Sequence, residues 1–177
     1  MSARNEFSRP IRVDTIGAEP RPLTIEAEPG ERAALAKRFD LPAIDLLSAD
    51  LGVTRNEEVV IADGRMRAEV TQRCVASGEP VPASLDEPFR ILFVPVPVAQ
   101  RGGEEEIELN ERDCDVVFYD GASIDVGEAV AETLSLNLDP WPRAPGAEEV
   151  LKQAGVKDED EVGPFAALAG LKDKLGK

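Results

Sequence analysis

The chain has 177 residues, enough to bury one good core, and carries 20 Lys and Arg against 35 Asp and Glu, a formal charge of −15 with no histidine. The missing imidazole removes Ser-His-Asp and Cys-His nucleophiles, His-ligated zinc and imidazole acid–base catalysis. The acidic excess runs along the whole chain, so it repels phosphate backbones and attracts basic partners, and it argues against a protein that grips RNA unaided.

In chain order, a short strand is predicted over 10–13. A second follows over 23–28, where Leu23, Ile25 and Ala27 alternate with Thr24, Glu26 and Glu28. Pro29 and Gly30 are expected to break it. Residues 31–39 then read as a helix with Ala34, Leu35 and Phe39 on one side, ended by 40–42. The middle of the chain is β-rich. Segments 58–62 and 65–75 flank Asp63-Gly64, the dipeptide of a two-residue hairpin turn. In the second of these, Met66, Ala68, Val70 and Cys74 face inward, while Arg65, Arg67, Glu69, Thr71 and Arg73 face outward.

A longer strand over 84–98 places Leu85, Phe89, Ile91 and Phe93 on one face, and Pro95 and Pro97 assign it an edge position or an exit from the sheet. Residues 101–106 read as a solvated loop and 108–119 as the last strands, strongest at 116–119. Asp125 and Glu128 stand at N-cap and N3 spacing before a helix over 126–138, whose stripe is Val126, Ala129, Val130, Leu134 and Leu138. Pro140 and Pro142 stop it. The fold class predicted is α+β, a mainly antiparallel sheet with helices packed on one face. It comprises a single domain over 1–143 and a flexible acidic carboxyl-terminal tail over 144–177 with a terminal apolar helical motif.

The motifs exclude more than they assign. No Walker loop or GxGxxG occurs. GASID at 121–125 lacks the second glycine and the histidine partner of a nucleophile elbow. DEDEVG at 158–163 places Val162 and Ala169 where a calcium loop needs carboxyl ligands. No apolar run nears the ~18 residues of a membrane span, and MSARNEFSRP has no apolar signal region. Cys74 and Cys114 fit a reduced compartment. A cytoplasmic protein that meets no membrane is the expectation.

Three stretches carry a family resemblance: AEVTQRCVASGEPVPASLDEPF at 68–89, the Ile124-Asp125 start of the helix, and the terminal PFAALAGLK at 164–172. Together they resemble the YceD family, which is associated with accumulation of large-subunit ribosomal RNA. The resemblance implies a non-enzymatic ribosome-biogenesis factor promoting synthesis, processing or stability of the large-subunit (23S) RNA. Given the acidity, its partner is expected to be a basic large-subunit ribosomal protein or assembly factor, with RNA reached indirectly. Many relatives carry C-x-x-C at the turn; here Thr71 stands at the first cysteine, and DPWPRAPGAEEV at 139–150 offers no thiol or imidazole. A tetrahedral zinc site needs about four such ligands, so no metal, no cofactor and no catalytic residue is expected.

The candidate contacts each have a plainer reading. Phe165, Leu168 and Leu171, at i, i+3 and i+6, form either a partner-docking helix face or a segment folded back on its own sheet. Trp141 between prolines is either an exposed platform for a partner or the cover of a core edge. Arg65, Arg67 and Arg73 form either an RNA-contacting strand face or ordinary solvated positions offset by Glu69. The acidic runs 104–106 and 158–161 are either clamps for a basic protein or solvated loops. Cys74 reads as a small buried residue. Two rival functions remain: a carboxylate- and magnesium-dependent RNA-processing hydrolase, and direct RNA binding by the arginine face.

Overall fold

The structure is a computed structural model and describes residues 6–96 and 115–156. Its elements are β1 (Pro10–Arg12), a 3-10 turn (Val13–Thr15), β2 (Arg21–Glu26), α1 (Pro29–Arg38), β3 (Ala43–Asn56), β4 (Val59–Arg73), β5 (Pro80–Pro95), β6 (Asp115–Tyr119), β7 (Ser123–Asp125), α2 (Val126–Asn137) and α3 (Ala147–Gln153). Contacts divide the chain into two units. The first holds the described residues within 1–72 and 82–140, the second those within 73–81 and 141–177.

In the first unit, β2-β3-β4-β5-β6 form one sheet and β1-β7 a two-stranded ladder. β2–β3, β3–β4 and β1–β7 are antiparallel. β5 and β6 run parallel from Ile91↔Asp115 to Pro95↔Tyr119. The class is α+β with antiparallel pairing dominant, as the sequence pattern predicts. The inward side chains of the sheet, among them Ile25, Leu47, Leu51, Met66, Ile91 and Phe93, share one apolar cluster with Leu35 of α1 and Val126, Val130 and Leu134 of α2. Met66, Leu35, Val130 and Leu134 are fully buried. Each such side chain contributes about 1.5–3 kcal/mol relative to exposure.

Several predicted elements are corrected by the pairing. Asp63-Gly64 is not a turn: β4 runs straight through it, with Asp63 opposite Gly52 and Gly64 opposite Leu51. The reversal lies at Glu57-Glu58, where Asn56 pairs with Val59 and Glu57 takes φ 53°. Gly64 is needed for a different reason. A Cβ there would strike the Asp50 carbonyl and come within 2.6 Å of Leu51 Cβ.

β2 ends at Glu26, ahead of Pro29 and Gly30 as expected, but these two residues also form the first turn of α1, which starts at Pro29 and not at 31. Glu28 and Glu31 make a capping box, so the proline ring occupies a position whose N–H would go unused. β5 is an interior strand, flanked by β4 and β6, so it does not take the edge position. It ends at Pro95, in line with the other expectation, an exit from the sheet, while Pro82 and Pro88 lie within it. β3 has no counterpart among the predicted elements. Its register shifts between Ile44 and Leu46, which spaces the inward Ile44 and Leu47 three apart and hides the alternation of Leu47, Ala49, Leu51 and Val53. The expected loop over 101–106 and the strand start over 108–114 lie outside the described residues.

α2 begins as its sequence indicates. The Asp125 carboxylate accepts from the N–H groups of Gly127 and Glu128 at 3.1 and 3.2 Å. The same oxygen accepts from Arg9 N–H at 2.7 Å, and Asp125 Oδ2 accepts from Ser8 Oγ at 2.6 Å. The Arg9 guanidinium in turn forks onto both oxygens of Glu31 at 2.7 Å.

Two measurements check this arrangement. Gly64→Asn, which a positive-φ turn would tolerate, is expected to cost about 2 kcal/mol or more in urea unfolding because backbone must move. Gly30→Ala, where an added Cβ meets nothing within 4 Å, is expected to be neutral or to stabilise by about 0.5 kcal/mol. The Arg9 fork holds Glu31 below the usual carboxylate range. Its stabilisation is therefore present above the unfolded-state value and fades as pH falls through the depressed one. Glu31→Gln is expected to lose about 1 kcal/mol at pH 7, with the deficit narrowing in unfolding curves taken at increasingly acid pH.

Candidate functional site

Outward on the sheet, the alternation of β4 brings Arg65 and Arg67 to the same face, as predicted. Neither is a bare cation there. Arg65 Nε lies 2.8 Å from Asp86 of β5, and Arg67 lies 3.0 Å from Asp50 of β3 and 3.9 Å from Asp86. The Thr24 hydroxyl donates to Asp50 at 2.7 Å, and this bond, followed by Arg67, holds the Asp50 carboxyl below its usual range. The face is thus a lattice of cations set between carboxylates of neighbouring strands. Such exposed pairs contribute little stability, at most about 1 kcal/mol each, but they neutralise the local field that a phosphate would meet.

Arg73, the third predicted member of that stripe, belongs to the second unit. This unit is built on a tight turn. Cys74 N–H donates to the Glu79 carbonyl and Gly78 N–H to the Cys74 carbonyl, both at 2.8 Å, and Gly78 takes φ 74°. Val75 N–H donates to the Pro142 carbonyl at 2.9 Å, which lays the turn beside the segment after Pro140. Cys74, Ala144 and Ala147 form a small buried cluster, with Ala76 and Val81 packed on it.

Cys74 is buried, as its pattern predicts, but in this separate cluster and not in the main core. Its sulfur also accepts hydrogen bonds. Chiefly the Ala144 backbone, and next Ser77, lower the thiol to about 7; the Ser77 N–H lies 3.4 Å from Sγ. Donors aimed at sulfur favour the thiolate against the desolvation of burial.

Around this cluster the chain alternates. Cys74, Pro142 and Ala144 are buried, while Arg73, Val75, Trp141 and Arg143 are exposed. Trp141 is 71% exposed and Val75 52%, so Trp141 does not cover a core edge, the plainer of its two predicted roles. Arg143 and Val75 were not singled out from sequence. They lie 68 positions apart, and the Val75–Pro142 bond, with Cys74 packed against Ala144 and Ala147, brings their segments together. Phe165, Leu168 and Leu171, the runs 104–106 and 158–161, and Cys114 lie outside the described residues.

Among the described residues, no group of three or more Cys, Asp or Glu side chains is arranged to hold a metal ion. No described helix is long and apolar enough to cross a membrane. One open cleft of about 360 Å³ is lined by Asp14, Arg55, Glu58 and Tyr119, and the described carboxylates there form no group arranged to hold a metal ion.

Fold and composition define an acidic α+β protein. A family model described as large ribosomal RNA subunit accumulation protein YceD matches residues 62–172, well over half the chain, and the protein belongs to that family. The match takes in most of β4, all of β5 and β6, α2 and both segments of the second unit. No curated protein and no solved structure matches the chain.

The thiol environment has a measurable consequence. In a Cys114→Ser background, ultraviolet thiolate absorbance is expected to titrate with a midpoint near 7, about that of the folded Cys74. Since this value lies below the unfolded one, stability should fall as pH drops through about 7 and be fully gained only above the unfolded thiol value, ~8.5. Cys74→Ala should abolish that slope.

Proposed function

We propose that this protein promotes accumulation of large-subunit ribosomal RNA without catalysis, by engaging a basic large-subunit ribosomal protein or assembly factor. The family description supplies the ribosomal RNA role. The surface chemistry supports the partner. In the first unit Arg9, Arg12, Arg38, Arg65 and Arg67 each have a carboxylate within 3.1 Å. Half of the described basic residues of the first unit are thus held by carboxylates, and the formal charge of −15 leaves a surplus of acidic groups. Such a field steers Lys- and Arg-rich proteins to encounter and turns naked phosphate away. Phe165, Leu168 and Leu171 then add short-range burial once the partner is held. Direct RNA binding by the strand face is the weaker reading, since Arg65 and Arg67 are already committed to Asp86 and Asp50.

The test is a comparison of full-length protein binding to purified basic large-subunit proteins and to naked large-subunit RNA. The protein arm should be the tighter one and should weaken by about tenfold or more as salt rises from low to physiological. Replacing Phe165, Leu168 and Leu171 together by serine should speed dissociation without altering the fold. Tight RNA binding abolished by Arg65→Ala and Arg67→Ala would overturn the proposal.

A further inference from the structure

We propose that the second unit carries a contact for single-stranded RNA, formed by the exposed Trp141, Arg73, Arg143 and Val75 on the two segments that the Val75–Pro142 hydrogen bond joins. It rests on the family's ribosomal RNA role but is independent of the basic-protein partner, because a different unit of the chain supplies it.

Charge separates the two units. The described residues of the first carry ten Lys and Arg against twenty-one Asp and Glu. Those of the second are balanced, with Arg73, Arg143 and Lys152 against Glu79, Glu148 and Glu149. Among the described residues, only this unit lacks the excess of carboxylates that repels a phosphate. The arginines also differ from those on the sheet: among the described residues no carboxylate pairs with Arg73 or Arg143, whereas Arg65 and Arg67 are paired.

Backbone geometry then sets the patch. The Val75–Pro142 hydrogen bond joins the two segments, and burial of Cys74, Pro142 and Ala144 turns Arg73, Val75, Trp141 and Arg143 outward. Gly78 and Gly146, one in each segment, both take left-handed backbone angles. Trp141 is flanked in sequence by Pro140 and Pro142, which restrict the backbone and leave little entropy to lose when a base stacks on the ring. An exposed indole on the same unit as two arginines that no described carboxylate pairs supplies the chemistry of a stacked base with its phosphates neutralised. An acidic protein segment would use the arginines but not the ring face, so RNA is the occupant the patch favours.

Trp141 is the chain's one tryptophan, so its fluorescence reports the contact directly. Full-length protein is titrated with a single-stranded RNA dodecamer at low salt. A saturable quench is expected, weakening steeply as salt is raised. Arg73→Gln and Arg143→Gln should each weaken binding several-fold and each lower the salt slope by about one. Arg65→Gln with Arg67→Gln should leave it unchanged. By fluorescence anisotropy of labelled RNA, Trp141→Phe should retain binding and Trp141→Ala should lose about tenfold or more, with circular dichroism showing each variant folded. Absence of quench, a quench indifferent to both Arg73→Gln and Arg143→Gln, or a quench given by an acidic peptide and not by RNA would overturn the proposal. Loss of basic-protein capture alongside an intact RNA quench would sink the partner reading and leave this one standing.

Discussion

Arg9 and Asp125 hold the first unit together at the point where both helices begin. Asp125 Oδ1 caps α2 and takes the Arg9 N–H, while the Arg9 guanidinium reaches both oxygens of Glu31 and the Glu26 carbonyl. Glu31 closes the capping box of α1 by accepting from Glu28 N–H at 2.8 Å. Two helix starts, the β1–β7 ladder and the amino-terminal segment therefore share one charge-assisted network. Close approach is part of the same constraint. A Cβ on Gly127 would collide with the Phe7 carbonyl, so the first turn of α2 can seat Phe7, fully buried, only because that position has no side chain.

The network also explains how a chain of this charge stays folded. A net −15 costs self-repulsion in any compact state. Arginine is placed where two carboxylates would otherwise face each other: Arg38 reaches Glu128 of α2 at 2.7 Å and Glu6 at 3.1 Å, and Arg67 lies between Asp50 and Asp86. Positive charge is spent on internal repair of the acidic surface. The described residues of the first unit still carry an excess of carboxylates.

The second unit obeys different physics. Its apolar cluster is tiny, Cys74, Ala144 and Ala147, and small clusters of this kind stabilise little on their own. Backbone hydrogen bonds across the turn and donors aimed at the Cys74 sulfur do more of the ordering. Trp141 and Val75 are exposed on this unit.

Local signals were enough for part of this. Asp125 and Glu128 announce the start of α2, and Val126, Ala129, Val130 and Leu134 its buried stripe, because capping and 3.6-residue periodicity act within a few positions. Met66, Ala68 and Val70 alternate so cleanly that their burial could be read directly, and the motifs from 68 to 172 were enough to suggest the family that the model at 62–172 bears out. Other features depended on partners far along the chain. Asp63-Gly64 has the composition of a turn, yet two long antiparallel strands outweigh the preference of two residues, and Gly64 answers to Asp50 and Leu51 across the ladder. β3 was hidden by a single register shift. The pairing of Arg65 and Arg67 with Asp86 and Asp50 and the outward grouping of Arg73, Val75, Trp141 and Arg143 follow from strand register and from one Val75–Pro142 hydrogen bond. Periodicity within a segment cannot encode which distant segment will lie beside it, so those contacts exist only once the chain has folded.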